Sequence, residues 1–231
     1  MKQTVFTFIF GDYDDLKTPT VANPTWDHFC FTDAPDKIKS PWIGLHSIPE
    51  LAHLTDNKRK AVGHMILGHQ FLAKRGYGTT LSVGAQIQIA CSLNQFMIRF
   101  REDTRLLLMR HPERSCVYAE ADACVALKKD DEKTIRAQMS RYHAQDFPQS
   151  WGLFATGVMG VRHSDAPDNE ALHWWNHFAD AWWHEVQQGS CRDQLSLTYC
   201  LRGLATPESI SEIGWYETFH SKGFLISQHK K

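Results

Sequence analysis

Short apolar runs and longer amphipathic stretches alternate along this chain. The run TVFTFIF, residues 4–10, is rich in β-branched and aromatic side chains and stops at Gly11, as a strand buried on both faces does. Similar runs predict further strands at residues 28–33, 42–49, 79–89, 105–111, 152–163 and 214–219.

The stretches between these runs have apolar residues at helical spacing. The clearest helix begins at Thr55 or Asp56, both favourable N-cap residues, and ends before Gly76. Because strands alternate with helices, we predict an α/β fold with a mostly parallel central sheet and helices on both faces. Further helices are predicted at residues 92–101, 115–130, 132–145, from Asp168 or Asn169 to Gly189, and 191–204.

The chain shows no internal repeat and no low-complexity linker. With 231 residues, of which 42% are hydrophobic, it can bury one sizeable core. We therefore predict a single domain over residues 1–226, followed by a loose C-terminal tail at residues 227–231.

Composition excludes several classes of function. The 25 basic and 26 acidic residues nearly cancel, so no nucleic-acid partner is predicted. No apolar run is long enough for a transmembrane segment. The six cysteines form no CxxC pair, and a reducing, cytoplasmic location is the simplest expectation. There is no P-loop, GxGxxG or GxSxG motif.

Polar clusters follow four of the predicted strands. They are GDYDD after the first strand, Asp33 after the second, and the segments MRHPER and VRHSD. Ligands of open α/β sheets bind outside the carboxyl ends of the strands, which makes these clusters candidate site residues. The alternative is that strand ends are polar because loops face water.

The segment SCRDQLSL places Arg192, Asp193 and Gln194 where a helix begins. A guanidinium, a carboxylate and an amide at one place can bind a polyhydroxylated ligand or an anion. The same residues can equally form a capping segment with Ser190 as N-cap. The residue pattern leaves both interpretations open.

Aromatic and histidine pairs have simpler explanations. The pairs Trp174–Trp175 and Trp182–Trp183 can line one helix face, as helix core or as a stacking platform. His64 and His69 lack the third ligand that a metal site needs. Core packing is favoured for the tryptophans, and core or surface positions for the histidines.

Several motifs in fixed order resemble one known family. They are FTFIFGDYDDL, WDHFCFTD, NKRKAVGHMILGHQFL, HPERSCVYAEADACVALKKDD, QMSRYHAQDFP, GLFATGVMGVRH, WWNHF and SCRDQLSL. The set, from about residue 4 to residue 199, is similar to a glycosyltransferase-like family once catalogued only as a domain of unknown function. That family includes bacterial polysaccharide-locus proteins and plant Golgi proteins linked to cell-wall polysaccharide.

The resemblance implies a single GT-A-like domain with a Rossmann-type sheet. Its implied partners are a nucleotide-sugar donor and a saccharide or glycolipid acceptor, and peripheral membrane contact is compatible with such an acceptor. Asp193 and His163 match positions for which we expect catalytic roles. Expected donor-binding residues are Gly11, Asp12, Asp33, Arg59, His69, Gln86, His111, Arg114, Arg162, Arg192 and Gln194.

One segment departs from the family pattern. Where the family reads like WIDGNI, this chain reads SVGAQI, so Gly84 replaces the Asp and Gln86 the Asn. In GT-A enzymes this region commonly holds Mn²⁺ or Mg²⁺, and a hard cation needs oxygen ligands. Either Arg and His carry the diphosphate charge without a metal, or catalysis is weakened or absent; no metal ligand is predicted.

Three functions therefore remain open at this point. The favoured one is a glycosyltransferase. The second is a nucleotide- or sugar-binding protein that has lost turnover together with the Asp. The third is a lipid amide or ester hydrolase, for which no nucleophile motif is present.

Overall fold

The computed structural model describes residues 2–163, 170–204, 210–220 and 223–230. Seven strands form the main sheet in the order β3-β2-β1-β4-β7-β6-β8, and β5 pairs with β9 in a small second sheet. The strands are β1 (Lys2–Ile9), β2 (Trp26–Thr32), β3 (Trp42–Leu45), β4 (Tyr77–Val83), β5 (Ile87–Ile89), β6 (Leu106–Arg110), β7 (Phe154–Arg162), β8 (Ile210–Ile213) and β9 (Phe224–Ile226).

Seven α-helices connect the strands in the described residues. Short 3₁₀ turns lie at Pro35–Lys37, Pro49–Leu51 and Met97–Arg99. None of the helices in these ranges combines the length and the apolar character needed to cross a bilayer. The helices are α1 (Asn57–Ala73), α2 (Leu93–Phe96), α3 (Val117–Ala126), α4 (Glu132–Ala144), α5 (Glu170–Gln188), α6 (Asp193–Leu204) and α7 (Trp215–Phe219).

The sheet is mostly parallel, as predicted, but β7 runs against its neighbours. β1 pairs in parallel with β2 and β4, whereas β7 is antiparallel to both β4 and β6. In this register Arg162, at the end of β7, lies opposite Thr79, near the start of β4. The carboxyl end of β7 is therefore at the opposite edge of the sheet from the carboxyl ends of β1 and β4.

Alternation along β1 divides the core between the two faces of the sheet. Phe6 packs on one side with residues of α1, α5 and α6, among them the fully buried Trp175 and Trp182. Val5 and Ile9 pack on the other side with α2, α7 and β9. The tryptophans of α5 are therefore core residues, as favoured above. Helices α3 and α4 form a third cluster with Leu195 of α6.

Two predicted strands differ in the structure. The run 79–89 is interrupted at Gly84, where a turn separates β4 from β5. Residues 215–219 form α7 rather than a strand: the N–H of Gly214 donates to Glu217 Oε2 at 3.4 Å. The rings of Trp215 and Phe219, one helical turn apart, pack at 4.4 Å. Aromatic content suggested a strand, but the cap and this spacing favour a helix.

Two other predictions concern the ends of elements. The predicted start of the fifth helix at Asp168 or Asn169 lies outside the described residues. Residues 227–230 are not loose: the N–H of Ser227 donates to Gln86 O at 3.0 Å, and His229 Nδ1 lies 2.8 Å from Asp14 Oδ2. The tail is thus fixed against the loop that follows β1.

Candidate active site

A cleft of about 530 Å³ opens at the carboxyl ends of β1 and β4. This is the edge where α/β sheets bind their ligands. The turn after β4, the first part of β7 and the beginnings of α1 and α6 complete most of its walls. The polar side chains that line it are Tyr13, Asp14, Asn57, Lys58, Gln86, Lys128, Lys129, Thr156, Arg192, Asp193, Gln194, Trp215 and His229.

Asp193, the first residue of α6, lies at the floor of this cleft. Its carboxylate accepts a hydrogen bond from the hydroxyl of Thr156 on β7, and only 7% of the residue is exposed. Trp182 of α5 fixes the beginning of α6, because its Nε1 donates to Ser196 Oγ at 3.1 Å in the first turn of that helix. Burial raises the pKa of Asp193, outweighing the lowering by Arg192 and Thr156.

Arg192 and Gln194 flank the carboxylate and also line the cleft. Arg192 Nη2 donates to Gln194 Oε1 at 3.4 Å, while the buried Nε has no protein partner among the described residues. Burial works against the charge of Arg192, but the carboxylate of Asp193 helps to raise the pKa of the guanidinium on balance. A cation, a carboxylate and an amide thus line one cleft, which is an arrangement that can bind a polar ligand.

The loop after β1 forms the next wall. Gly11 has φ +65°, a conformation that glycine adopts without strain. A side chain at this position would collide with Asn57. The N–H of Gly11 donates to Asp33 Oδ2 at 2.9 Å, so these two expected donor residues are brought together beside the cleft. Asp12 adjoins them and pairs with Lys230 at 3.3 Å.

The C-terminal tail supplies a further wall. His229 lines the cleft and is held by Asp14, whose second oxygen accepts the N–H of Lys230 at 3.2 Å. The ring of Tyr13 lies 5.1 Å from the ring of His229. These rings close the side of the cleft next to the β1 loop.

The turn after β4 does not fit a divalent cation. Gly84 contributes no side-chain ligand, and Gln86 Oε1 would lie 2.7 Å from a Cβ placed on Gly84, so the amide fills the position of the missing carboxylate. Within the described ranges no group of three His, Cys, Asp or Glu is arranged to hold a metal ion. The carboxylates of Asp14 and Asp193 are already engaged by His229 and Thr156.

Arg59 is one of nine expected site residues that do not line the cleft, and unlike Gly11, Asp12 and Asp33 it does not belong to the group beside it. Its guanidinium donates to the carbonyls of Val186 and Gly189 at the end of α5. A cation at a helix C-terminus satisfies free carbonyls and interacts favourably with the helix dipole. Arg59 therefore fastens α1 to α5 instead of facing a diphosphate.

His69 and His163 lie in the core, contrary to the expected donor-binding and catalytic roles. His69 is fully buried, and its Nδ1 lies 2.6 Å from the hydroxyl of Thr80; His163 Nε2 lies 3.1 Å from the same hydroxyl. Burial lowers the pKa of both histidines, that of His163 to about 4. Arg162 binds the carbonyls of Phe100 and Arg101. The antiparallel direction of β7 carries Arg162 and His163 to the opposite edge.

His111 and Arg114 stabilise their own turn and are also absent from the cleft lining. His111 Nδ1 accepts the N–H groups of Glu113 and Arg114 at 3.2 and 3.1 Å. Arg114 Nε donates to the buried carboxylate of Glu120 at 2.5 Å. Burial lowers the pKa of His111 by more than Glu120 raises it. The HPER segment is therefore a folded turn tied to α3.

Sequence reasoning missed most of the cationic lining. Lys58 precedes Arg59 on α1, and Lys128 and Lys129 follow α3. Thr156 was hidden within a strand-like run. A usable signal was the end of α3, where the chain reads LKKD without the glycine that usually ends a helix.

The chain has counterparts among known proteins. The family model described as TOD1/MUCI70, glycosyltransferase-like domain matches residues 1–229. Mouse xyloside xylosyltransferase 1, apo form, is 11% identical over 90% of this chain and 84% of that chain, with a TM-score of 0.47. Core-mannan synthase A from Aspergillus fumigatus, Mn/GDP form, is 9% identical over 94% and 73%, with a TM-score of 0.52. No curated protein matches. The likeness to the mannan synthase confirms the predicted GT-A-like fold class.

Proposed function

We propose that this chain, which belongs to the TOD1/MUCI70 glycosyltransferase-like domain family, transfers a sugar from a nucleotide-sugar donor to a hydroxyl of a polysaccharide or glycolipid acceptor. The observation that carries the proposal is the position of Asp193 at the floor of the cleft, beside the carboxyl ends of β1 and β4.

Asp193 acts as the general base in this proposal. It takes the proton of the acceptor hydroxyl as that oxygen attacks the sugar carbon, in an inverting transfer. The raised pKa of Asp193 supports this role, because a buried carboxylate is a stronger base than an exposed one. In this proposal Gly11 and Asp33, which lie beside the cleft, border the nucleotide, and Arg192 and Gln194 hydrogen bond sugar hydroxyls. The reaction needs no part from the buried His163.

The test is Asp193→Asn, assayed for transfer with a panel of nucleotide sugars and acceptors and, separately, for donor binding. Asparagine keeps an acceptor for Thr156 and a helix-starting side chain, so the fold and donor affinity stay close to wild type. Transfer is expected to fall about 10²- to 10⁴-fold. Asp103→Asn, at an exposed carboxylate, is the matched control. Full turnover in Asp193→Asn contradicts the base role.

A binding protein without turnover is the second candidate, favoured by Gly84 and by the amide of Gln86 that fills its position. The double variant Gly84→Asp, Gln86→Asn separates the two candidates. An inert pocket stays inert in this variant, whereas a clear gain of donor hydrolysis or transfer counts against it. A cytoplasmic location belongs to the proposal, and the six free cysteines support it.

The lipid hydrolase hypothesis is tested in parallel. Release of fatty acid from a panel of amide- and ester-linked lipids favours it over the transferase. No release from any member removes it.

A further inference from the structure

The cleft carries more positive than negative charge. Four of its lining side chains are permanently cationic at neutral pH, and two are carboxylates. Asp14 is bound to His229 and to the N–H of Lys230, and Asp193 lies next to Arg192. The remaining cations are Lys58, Lys128 and Lys129, for which no ion pair with a described residue is present.

Lys128 occupies a backbone position that ordinarily belongs to glycine. Its N–H donates to Val125 O at 3.0 Å and the N–H of Lys129 to Cys124 O at 2.9 Å, which is the hydrogen-bond pattern of a Schellman motif. Lys128 has φ +50° there, in the left-handed region that costs energy for any residue with a side chain. Non-glycine residues held in this way cluster at functional sites.

Asp130 fixes this lysine loop against the start of α6. Its carboxylate accepts the hydroxyl of Ser190 at 2.6 Å and the N–H of Cys191 at 2.8 Å. Arg192 and Asp193 follow Cys191 directly in the chain. The two hydrogen bonds of Asp130 therefore keep the lysine loop at a fixed distance from Asp193. Lys58 lines the same cleft from the first turn of α1.

We infer that Lys58, Lys128 and Lys129 bind the diphosphate of the nucleotide-sugar donor in place of a divalent cation. The inference rests on the proposed glycosyltransferase function and names how that site holds its donor. Each phosphate brings at least about one negative charge at neutral pH, which three unpaired ammonium groups can compensate. The turn at Gly84 and Gln86, where a cation would otherwise be held, offers no carboxylate.

The lysines also have a role in the transfer step. The bond from the anomeric carbon to the β-phosphate oxygen breaks, and the electron pair stays on that oxygen. The acceptor oxygen forms the new bond to the same carbon, and its proton passes to Asp193. Ammonium groups positioned around the phosphates stabilise the charge that develops on the leaving group.

The experiment measures binding of UDP, GDP, CDP, ADP and pyrophosphate by titration calorimetry, in EDTA and again with Mn²⁺. The informative variant is Lys128→Gly, which removes the cation and relieves the left-handed strain. Asp146→Gly is the matched control, since Asp146 has φ +53° at the corresponding position of a Schellman motif after α4 and does not line the cleft.

The expected result is that at least one nucleoside diphosphate binds in EDTA, with affinity that falls steeply as salt is added. Lys128→Gly is expected to be at least as stable as wild type and to bind that nucleotide about tenfold or more weakly. Asp146→Gly keeps the wild-type affinity. Lys129→Ala weakens binding in the same direction.

Two results overturn the inference, and they differ in what they mean for the function. If a nucleotide binds only with Mn²⁺ and Lys128→Gly binds it as wild type does, the lysine site is wrong but the donor pocket stands. If no nucleotide and no nucleotide sugar binds under either condition, the proposed transferase function fails as well.

Discussion

The buried His64 should make the protein lose stability in mild acid. Its Nε2 accepts the N–H of Ile48 at 3.1 Å, and its Nδ1 lies 2.8 Å from Lys60 O. The ring therefore uses both nitrogens in its neutral form, and a second proton would displace the bond from Ile48. Burial between Phe10 and Phe31 lowers the pKa of His64 from 6.5 to about 4.

The sign and the size of the effect follow from this pKa. The unfolded chain takes up the proton at a higher pH than the folded chain does. The stabilisation of the folded state by the neutral His64 is therefore complete above pH 6.5. It is lost as the pH falls from 6.5 towards about 4. At about 1.4 kcal/mol per pH unit, the loss in the free energy of unfolding is about 3 kcal/mol.

Chemical denaturation of wild type and His64→Phe between pH 7.5 and pH 4, followed by tryptophan fluorescence, measures this contribution. Phenylalanine fits the aromatic site but leaves the Ile48 N–H without its acceptor, which costs about 1–3 kcal/mol at neutral pH. The difference in the free energy of unfolding between wild type and His64→Phe is expected to shift by about 3 kcal/mol in favour of the variant as the pH falls to 4. The exposed His53, replaced in the same way, is the control. A gap that is constant with pH refutes the reasoning.

Three further changes test how the cleft is held in place. Gly11→Ala forces a side chain into Asn57 at a left-handed position, and unfolding experiments should show a loss of about 1–3 kcal/mol. Asp130→Ala removes the acceptor that fixes the start of α6; melting temperature and nucleotide affinity should both fall, and unchanged affinity would show that the loop is held by other contacts. Arg59→Met leaves carbonyls at the end of α5 unpaired. It should lower the free energy of unfolding by about 1–2 kcal/mol and leave nucleotide affinity unchanged. Weaker nucleotide binding would show that Arg59 does contribute to the site.

Local patterns predicted the elements whose structure is determined locally. The first strand and the helix capped by Asp56 appear where their residues indicate, because apolar runs and caps act over a few neighbouring residues. The direction of β7 was not predictable in this way. Parallel and antiparallel strands can share the same apolar run, and Arg162 and His163 were placed at the wrong edge for that reason.

The residues of the candidate site also differ in whether they could be predicted from local sequence. Asp193 was singled out through the family resemblance, because the segment RDQ by itself left a capping role equally open. Lys128 and Thr156 were missed, since each becomes a site residue only when distant segments meet. The charge on Arg59 suggested phosphate binding, but a guanidinium satisfies helix carbonyls equally well. Sequence shows which groups a residue can offer, and the fold decides what they contact.

The wall supplied by the C-terminal segment has a consequence for how the protein is made. β1 and the loop at Asp14 leave the ribosome before Ile226 and His229, which line the same cleft and are translated more than two hundred residues later. A nascent chain can form β1, β2 and β4 in sequence, but its cleft stays open on that side. The cleft can therefore retain a ligand on that side only after residues 226–229 have been made, when most of the sheet has had time to fold.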